Sequence, residues 1–177
     1  MTNNDILRSL RYTFDFHESK IVSLFKLADL TVSQDQISQW LKKDDDPDYQ
    51  ICSDNQLAIF LNGLIIEKRG KKEGPTPEPE TRINNNIVFR KLKIALDLKD
   101  NDILDIIKLA NFSISKHELC AFFRKKGHKN YRECKDQVLR YFLSGLQKKL
   151  RNMPTSQAPT KPAFDWSNIS PPKKDKP

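Results

Sequence analysis

Only five glycines, three cysteines, two methionines and two tryptophans occur in 177 residues, and their scarcity removes several function classes at once. No Cys-x-x-Cys pair is present, so neither a disulfide framework nor a thiolate zinc site is expected. No glycine-rich phosphate loop occurs, and His17, His117 and His128 are scattered, so no nucleophile–base grouping can be assembled. Asp44, Asp46 and Asp48 have the spacing of a calcium loop. Its sixth position, however, holds Tyr49 where glycine is required, and its twelfth holds Asn55 where glutamate is required. No cofactor, metal or small-molecule substrate is therefore implied, and the expectation is that the protein is not an enzyme. No apolar run approaches the ~20 residues that a membrane-crossing helix needs. Met1-Thr2-Asn3-Asn4-Asp5 has neither a basic nor an apolar targeting region, which points to the cytoplasm.

What the chain does contain, it contains twice. Leu10 matches Leu92, Lys26-Leu27-Ala28 matches Lys108-Leu109-Ala110, and Ser33 matches Ser115. Tyr49 and Cys52 match Tyr131 and Cys134, and Phe60-Leu61-x-Gly63-Leu64 matches Phe142-Leu143-x-Gly145-Leu146. The offset is 82 residues throughout, with no gap between Asn4 and Leu146. Such self-similarity means one supersecondary unit used twice. A unit of this size buries only ~60% of its unfolded surface, so the two copies are expected to pack as one body.

Within each copy the apolar residues recur at helical spacing. Ile6, Leu7, Leu10 and Phe14 form one stripe, and Ile21, Leu24, Phe25 and Ala28 form the next. Ile37, Trp40 and Leu41 follow, then Leu57, Phe60, Leu61 and Leu64, and the second copy repeats the series. Ser33-x-x-Gln36, Ser53-x-x-Gln56 and Ser115-x-x-Glu118 read as capping boxes, with Asn4 and Asn86 as caps of the first helix of each copy. The fold class is all-α, with four helices near 4–15, 18–29, 33–43 and 53–69, and four more at the same offset. The organisation is a repeat over 1–69, a Pro/Gly linker over 70–84, a second repeat over 85–151 and a basic tail over 152–177. The tail is too polar to offset its ordering entropy and is expected to be disordered. It carries Phe164 and Trp166, either as a segment folding back on its own body or as a docking motif for a partner.

The copies diverge in charge. Residues 1–69 hold 8 Lys/Arg against 11 Asp/Glu, whereas 85–151 hold 16 against 7. The contrast concentrates between the third and fourth helices, where Asp44, Asp45, Asp46 and Asp48 face an opposite set in the second copy. That set is Arg124, Lys125, Lys126, His128, Lys129 and Arg132, with Lys135 and Lys148-Lys149 as candidate neighbours. Two physical accounts follow. The basic loop meets nucleic-acid phosphate, or the acidic and basic loops, with Phe164 and Trp166, serve protein interaction or self-assembly. A helix-turn-helix-like segment spans Leu27–Leu41, with Gln34, Asp35, Gln36 and Gln39 at the reading positions and Thr31 where the turn usually has glycine. Its counterpart offers Lys116, His117, Glu118 and Ala121.

Asn3-Asn4-Asp5-Ile6-Leu7-Arg8-x-Leu10-Arg11, Leu27-Ala28, Trp40-Leu41-Lys42 and Phe60-Leu61-Asn62-Gly63-Leu64 resemble the YehS-like family of uncharacterised bacterial proteins, over roughly residues 1–150. The resemblance implies two tandem copies of a small helical domain in a cytoplasmic bacterial protein. It supplies no activity and no functional residues.

Overall fold

Hydroxyl or carboxamide side chains cap the starts of five of the eight described helices. In the computed structural model, which describes residues 1–151, the elements are α1 (Asn3–Thr13), α2 (Glu18–Leu27), α3 (Gln34–Leu41) and α4 (Asp54–Arg69). The second repeat supplies α5 (Asn85–Ala95), α6 (Asp100–Leu109), α7 (Lys116–Phe122) and α8 (Asp136–Arg151), and no strand occurs among the described residues. Ser33, Ser53 and Ser115 each accept from the backbone N–H three residues on, and the Gln36, Gln56 and Glu118 side chains reach back, as the capping-box spacing predicts. Asp15, Asp29, Asp97 and Asn111 take left-handed φ of 54°, 63°, 51° and 58° just past the ends of α1, α2, α5 and α6. These are two pairs of equivalent positions, and Asp and Asn tolerate that region better than other side chains.

Asn4 and Asn86 are not caps. Thr2 and Asn84 cap α1 and α5, while Asn4 and Asn86 lie within the first turn and are buried. The Asn4 amide donates to the carbonyls of Trp40 and Gln50, both at 2.8 Å, and its oxygen accepts from Cys52 N at 3.0 Å. Asn86 does the same with Phe122 (2.9 Å), Arg132 (2.8 Å) and Cys134 N (2.9 Å). Buried backbone groups must find partners, and one carboxamide here satisfies three. The same contacts explain why α3 and α7 stop short of residues 43 and 125. Asn4 and Arg8 take carbonyls at the end of α3, those of Trp40 and Lys42, and Asn86 and Arg90 take those of Phe122 and Phe123.

Within each repeat the second and fourth helices touch backbone to backbone. A Cβ on Gly63 would lie 1.9 Å from the Leu24 carbonyl oxygen, and one on Gly145 would lie 1.8 Å from that of Ile106. Between repeats α4 packs along α5 and α8 along α1, so the copies are related by an approximate two-fold axis. Polar contacts obey the same symmetry. Arg69 pairs with Asp97 at 2.8 Å and Arg151 with Asp15 at 3.7 Å. Ile83 N donates to Asp54 at 3.2 Å, and the Met1 nitrogen meets Asp136. One continuous core runs through both repeats, with Phe25, Phe60, Phe89 and Phe142 fully buried.

These contacts match helix starts with starts and ends with ends, so α4 and α5 run parallel. The linker must therefore travel back along α4, whose 16 residues span about 24 Å. Parallel neighbours need a long connection. Residues 70–84 provide it, pinned by Thr76 to Asp29 (3.0 Å) and by the Glu80 carbonyl to Asn55 (3.3 Å).

Candidate nucleic-acid interface

The two loops after α3 and α7 have one backbone conformation and opposite chemistry. In the first repeat Asp46 N bonds Lys43 O, Tyr49 N bonds Asp46 O and Gln50 N bonds Gln39 O. In the second, His128 N bonds Lys125 O, Tyr131 N bonds His128 O and Arg132 N bonds Ala121 O, which are the equivalent pairs. Even the side-chain turn is copied. Asp46 Oδ1 accepts from Asp48 N at 2.9 Å, and His128 Nδ1 accepts from Asn130 N at 3.1 Å. Asn86 then fixes the second loop from beneath through the Arg132 carbonyl. The loop is thus ordered by its own backbone, which leaves its side chains available.

Charge is handled differently in the two copies. Lys42 pairs with Asp46 at 3.2 Å and with Asp48 at 2.8 Å, while Arg8 reaches Asp44 at 3.6 Å. The Asp48 N–H, together with Lys42, holds the Asp46 carboxyl below its ordinary range, and the two carboxylates push the Lys42 ammonium up. Among the described residues only Asp45 of this set makes no ion pair, although Asp46 and Asp48 share Lys42 and Arg8 also pairs with Asp5 at 2.6 Å, so the acidic loop is partly compensated. By contrast, among the described residues Arg124, Lys125, Lys126, Lys129 and Arg132 have no carboxylate at ion-pair distance, and all five are exposed.

Several sequence expectations need correction here. Lys135 is exposed but engaged by Glu133 at 2.5 Å, so it does not extend the unpaired set. Lys148 lies at the far end of α8 from the loop, where it donates to the Leu109 carbonyl at 3.0 Å and caps α6. It is no neighbour of the basic loop. No ion pair joins the acidic loop to the basic loop among the described residues, so they do not neutralise each other within the chain. Phe164 and Trp166 lie outside the described residues.

One feature of the site escaped the sequence reading. Lys93, Asp100, Cys120, Phe123, Arg124, Lys125 and His128 line an open hollow of about 330 Å³ beside the basic loop. Lys93 bonds Asp100 at 2.5 Å and lies 4.6 Å above the Phe123 ring, and the Cys120 thiol points to Asp100 at 3.7 Å. The Lys93 hydrogen bond keeps the Asp100 carboxyl below its usual range. The only advance signal was divergence between the copies: Ser38 and Leu41 stand where Cys120 and Phe123 do.

The family model described as "Protein of unknown function (DUF1456)" matches residues 3–70 and again residues 85–152. The chain belongs to this family. The two matched segments each contain four of the helices described above. A relative, "Uncharacterized protein YehS" of Escherichia coli (strain K12), is 50% identical over 147 residues, covering 82% of this chain and 94% of the relative. No solved structure matches. No described helix is long and apolar enough to cross a membrane.

Proposed function

We propose that this protein is a non-enzymatic module that binds nucleic acid through the basic loop of its second repeat. The observation that carries the reading is the contrast between two loops on one backbone. In the first, three of the four carboxylates pair with Arg8 or Lys42, whereas the second presents five cations with no carboxylate partner among the described residues. Retaining unpaired cations on an ordered loop costs self-repulsion, and a polyphosphate relieves it. This favours phosphate over self-assembly through opposed loops, because three of the four carboxylates of the acidic loop are already engaged by cations of their own repeat.

The helix-turn-helix reading receives less support. Six residues separate Leu109 from Lys116, against the three or four that join the helices of that motif, and α7 has only seven residues. Base readout by α7 is therefore not part of the proposal; Lys116 is exposed and adds cationic surface.

Five neutralised phosphates give a slope of log K against log[salt] of roughly −4 to −5. The test is fluorescence anisotropy of labelled single- and double-stranded probes with nucleic-acid-free protein across a salt series. Changing Lys125, Lys126 and Lys129 to glutamate is expected to flatten the slope by about 3. The proposal is falsified if neither probe binds at low salt. Salt-sensitive dimers in sedimentation, formed without nucleic acid, would instead support self-assembly.

A further inference from the structure

Resting on that reading, we propose that the hollow between α5, α6, α7 and the basic loop seats one phosphate-bearing nucleotide of a single strand. The hollow is an open depression of about 330 Å³, with room for one nucleotide against its wall. Its charge is asymmetric. Three cations, Lys93, Arg124 and Lys125, line it against the single carboxylate of Asp100. Asp100 is held by Lys93, so Arg124 and Lys125 remain for an anion. The half-buried Phe123 ring, with the Lys93 ammonium 4.6 Å from its centroid, and the Cys120 thiol give the hollow an apolar wall. A cationic rim over an apolar wall complements a nucleotide, which has a phosphate at one end and a ring at the other. Because the hollow is open, a strand can continue out of it along Lys126 and Lys129 of the same loop.

The first repeat acts as an internal control. At the positions of Cys120, Phe123 and His128 it has Ser38, Leu41 and Asp46, and the counterpart of Arg124 is Lys42, which is engaged by Asp46 and Asp48. The aromatic wall is thus lost on the same scaffold, and of the two free cations only the counterpart of Lys125, Lys43, remains without an ion pair among the described residues.

Cys120 provides the test, since it is half-buried in the hollow while Cys52 and Cys134 are buried in the core. Iodoacetamide modification of the full chain, followed by mass spectrometry, reports whether the hollow is occupied. Oligothymidylate at ten times its dissociation constant is expected to slow Cys120 alkylation about tenfold, by mass action. The double variant Arg124→Gln/Lys125→Gln should lose this protection even at a saturating strand concentration. Lys126→Gln/Lys129→Gln, outside the hollow, should weaken binding yet keep the protection once saturated.

If oligothymidylate binds by anisotropy while Cys120 alkylates at its unliganded rate, the hollow is not the seat, although the basic-loop reading stands. If inorganic phosphate or a mononucleotide protects Cys120 and no oligonucleotide binds, the site is one for small anions and the strand is the wrong ligand. Equal protection by a blunt duplex and by single strand would also overturn the proposal. Absence of both binding and protection removes this inference together with the function it rests on.

Discussion

Asn86 Nδ2 donates to the carbonyl of Arg132 at 2.8 Å, so a buried residue of α5 holds the backbone of the loop that presents the positive charge. Scaffold and candidate site are joined through that one carboxamide. Replacing Asn86 with alanine leaves the carbonyls of Phe122 and Arg132 and the Cys134 N–H without their partner. At about 1–3 kcal/mol for each unsatisfied buried group, a loss of at least about 3 kcal/mol is expected in urea unfolding. Asn4→Ala should cost a similar amount, since its three partners are equivalent, but it should not alter probe binding at temperatures where the protein stays folded.

Gly63 and Gly145 meet backbone carbonyls rather than flexible side chains, so a methyl group there cannot be accommodated by a change of rotamer. Gly63→Ala and Gly145→Ala should each destabilise by about 1–3 kcal/mol or more, with α2 and α4, or α6 and α8, forced apart. Thermal denaturation followed by circular dichroism measures this. A midpoint unchanged in both variants would contradict the close helix contact.

The three thiols should separate cleanly. Burial pushes the Cys52 and Cys134 thiols up to about 12, with the nearby carboxylates of Asp54 and Asp136 adding to the shift. Both are therefore protonated and shielded at neutral pH, where only thiolate reacts. Titration of native protein with a thiol reagent should count one fast group, Cys120, and denaturation should release the other two. Two fast groups before unfolding would place a core cysteine at the surface.

Acid should weaken the fold through a few particular carboxylates. Burial of Asp5 tends to raise its pKa, but the backbone N–H and hydroxyl of Thr2, together with Arg8, outweigh it and leave the value lowered. Asp136 follows the same pattern, with the Met1 amino group and Asn85 outweighing burial. A carboxylate with a depressed folded pKa contributes stability above its unfolded pKa, and that contribution is lost as pH falls through the folded value. Stability should therefore be steady near neutrality and decline below the ordinary carboxylate range. Asp136→Asn should flatten that decline, and a pH profile unaltered by the substitution would exclude this ion pair from the acid response.

Releasing a cation of the first repeat offers the converse of removing those of the second. The triple change Asp44→Asn, Asp46→Asn and Asp48→Asn frees Lys42 from its partners, while Arg8 stays paired with Asp5 at 2.6 Å. Nucleic-acid binding should tighten, with the salt slope steeper by about 1 if Lys42 then contacts phosphate. An unchanged slope would show that the first loop never reaches the bound strand.

The elements that could be read from the chain were those with a local signal. Apolar stripes at helical spacing located all eight helices, and the serine capping boxes fixed the starts of α3, α4 and α7. Asn4 and Asn86 were misread because a cap and a buried carboxamide in the first turn of the helix look alike in sequence; the partners that decide between them lie 36 to 48 residues away. The ion pair of Asp44 was likewise hidden, because Arg8 comes from α1 and becomes its partner only when α1 and α3 pack. The charged loops themselves were plain from composition. The hollow was not, since Lys93, Asp100 and Cys120 come from three different helices.

The paired contacts Arg69–Asp97 and Arg151–Asp15 show that the step from the first repeat to the second is geometrically the same as the step from the second back to the first. Chain order is therefore a matter of which connection is covalent. A circular permutant that joins Arg151 to Met1 through a segment as long as residues 70–84, and opens the chain within 70–84, should fold to the same body with the basic repeat leading.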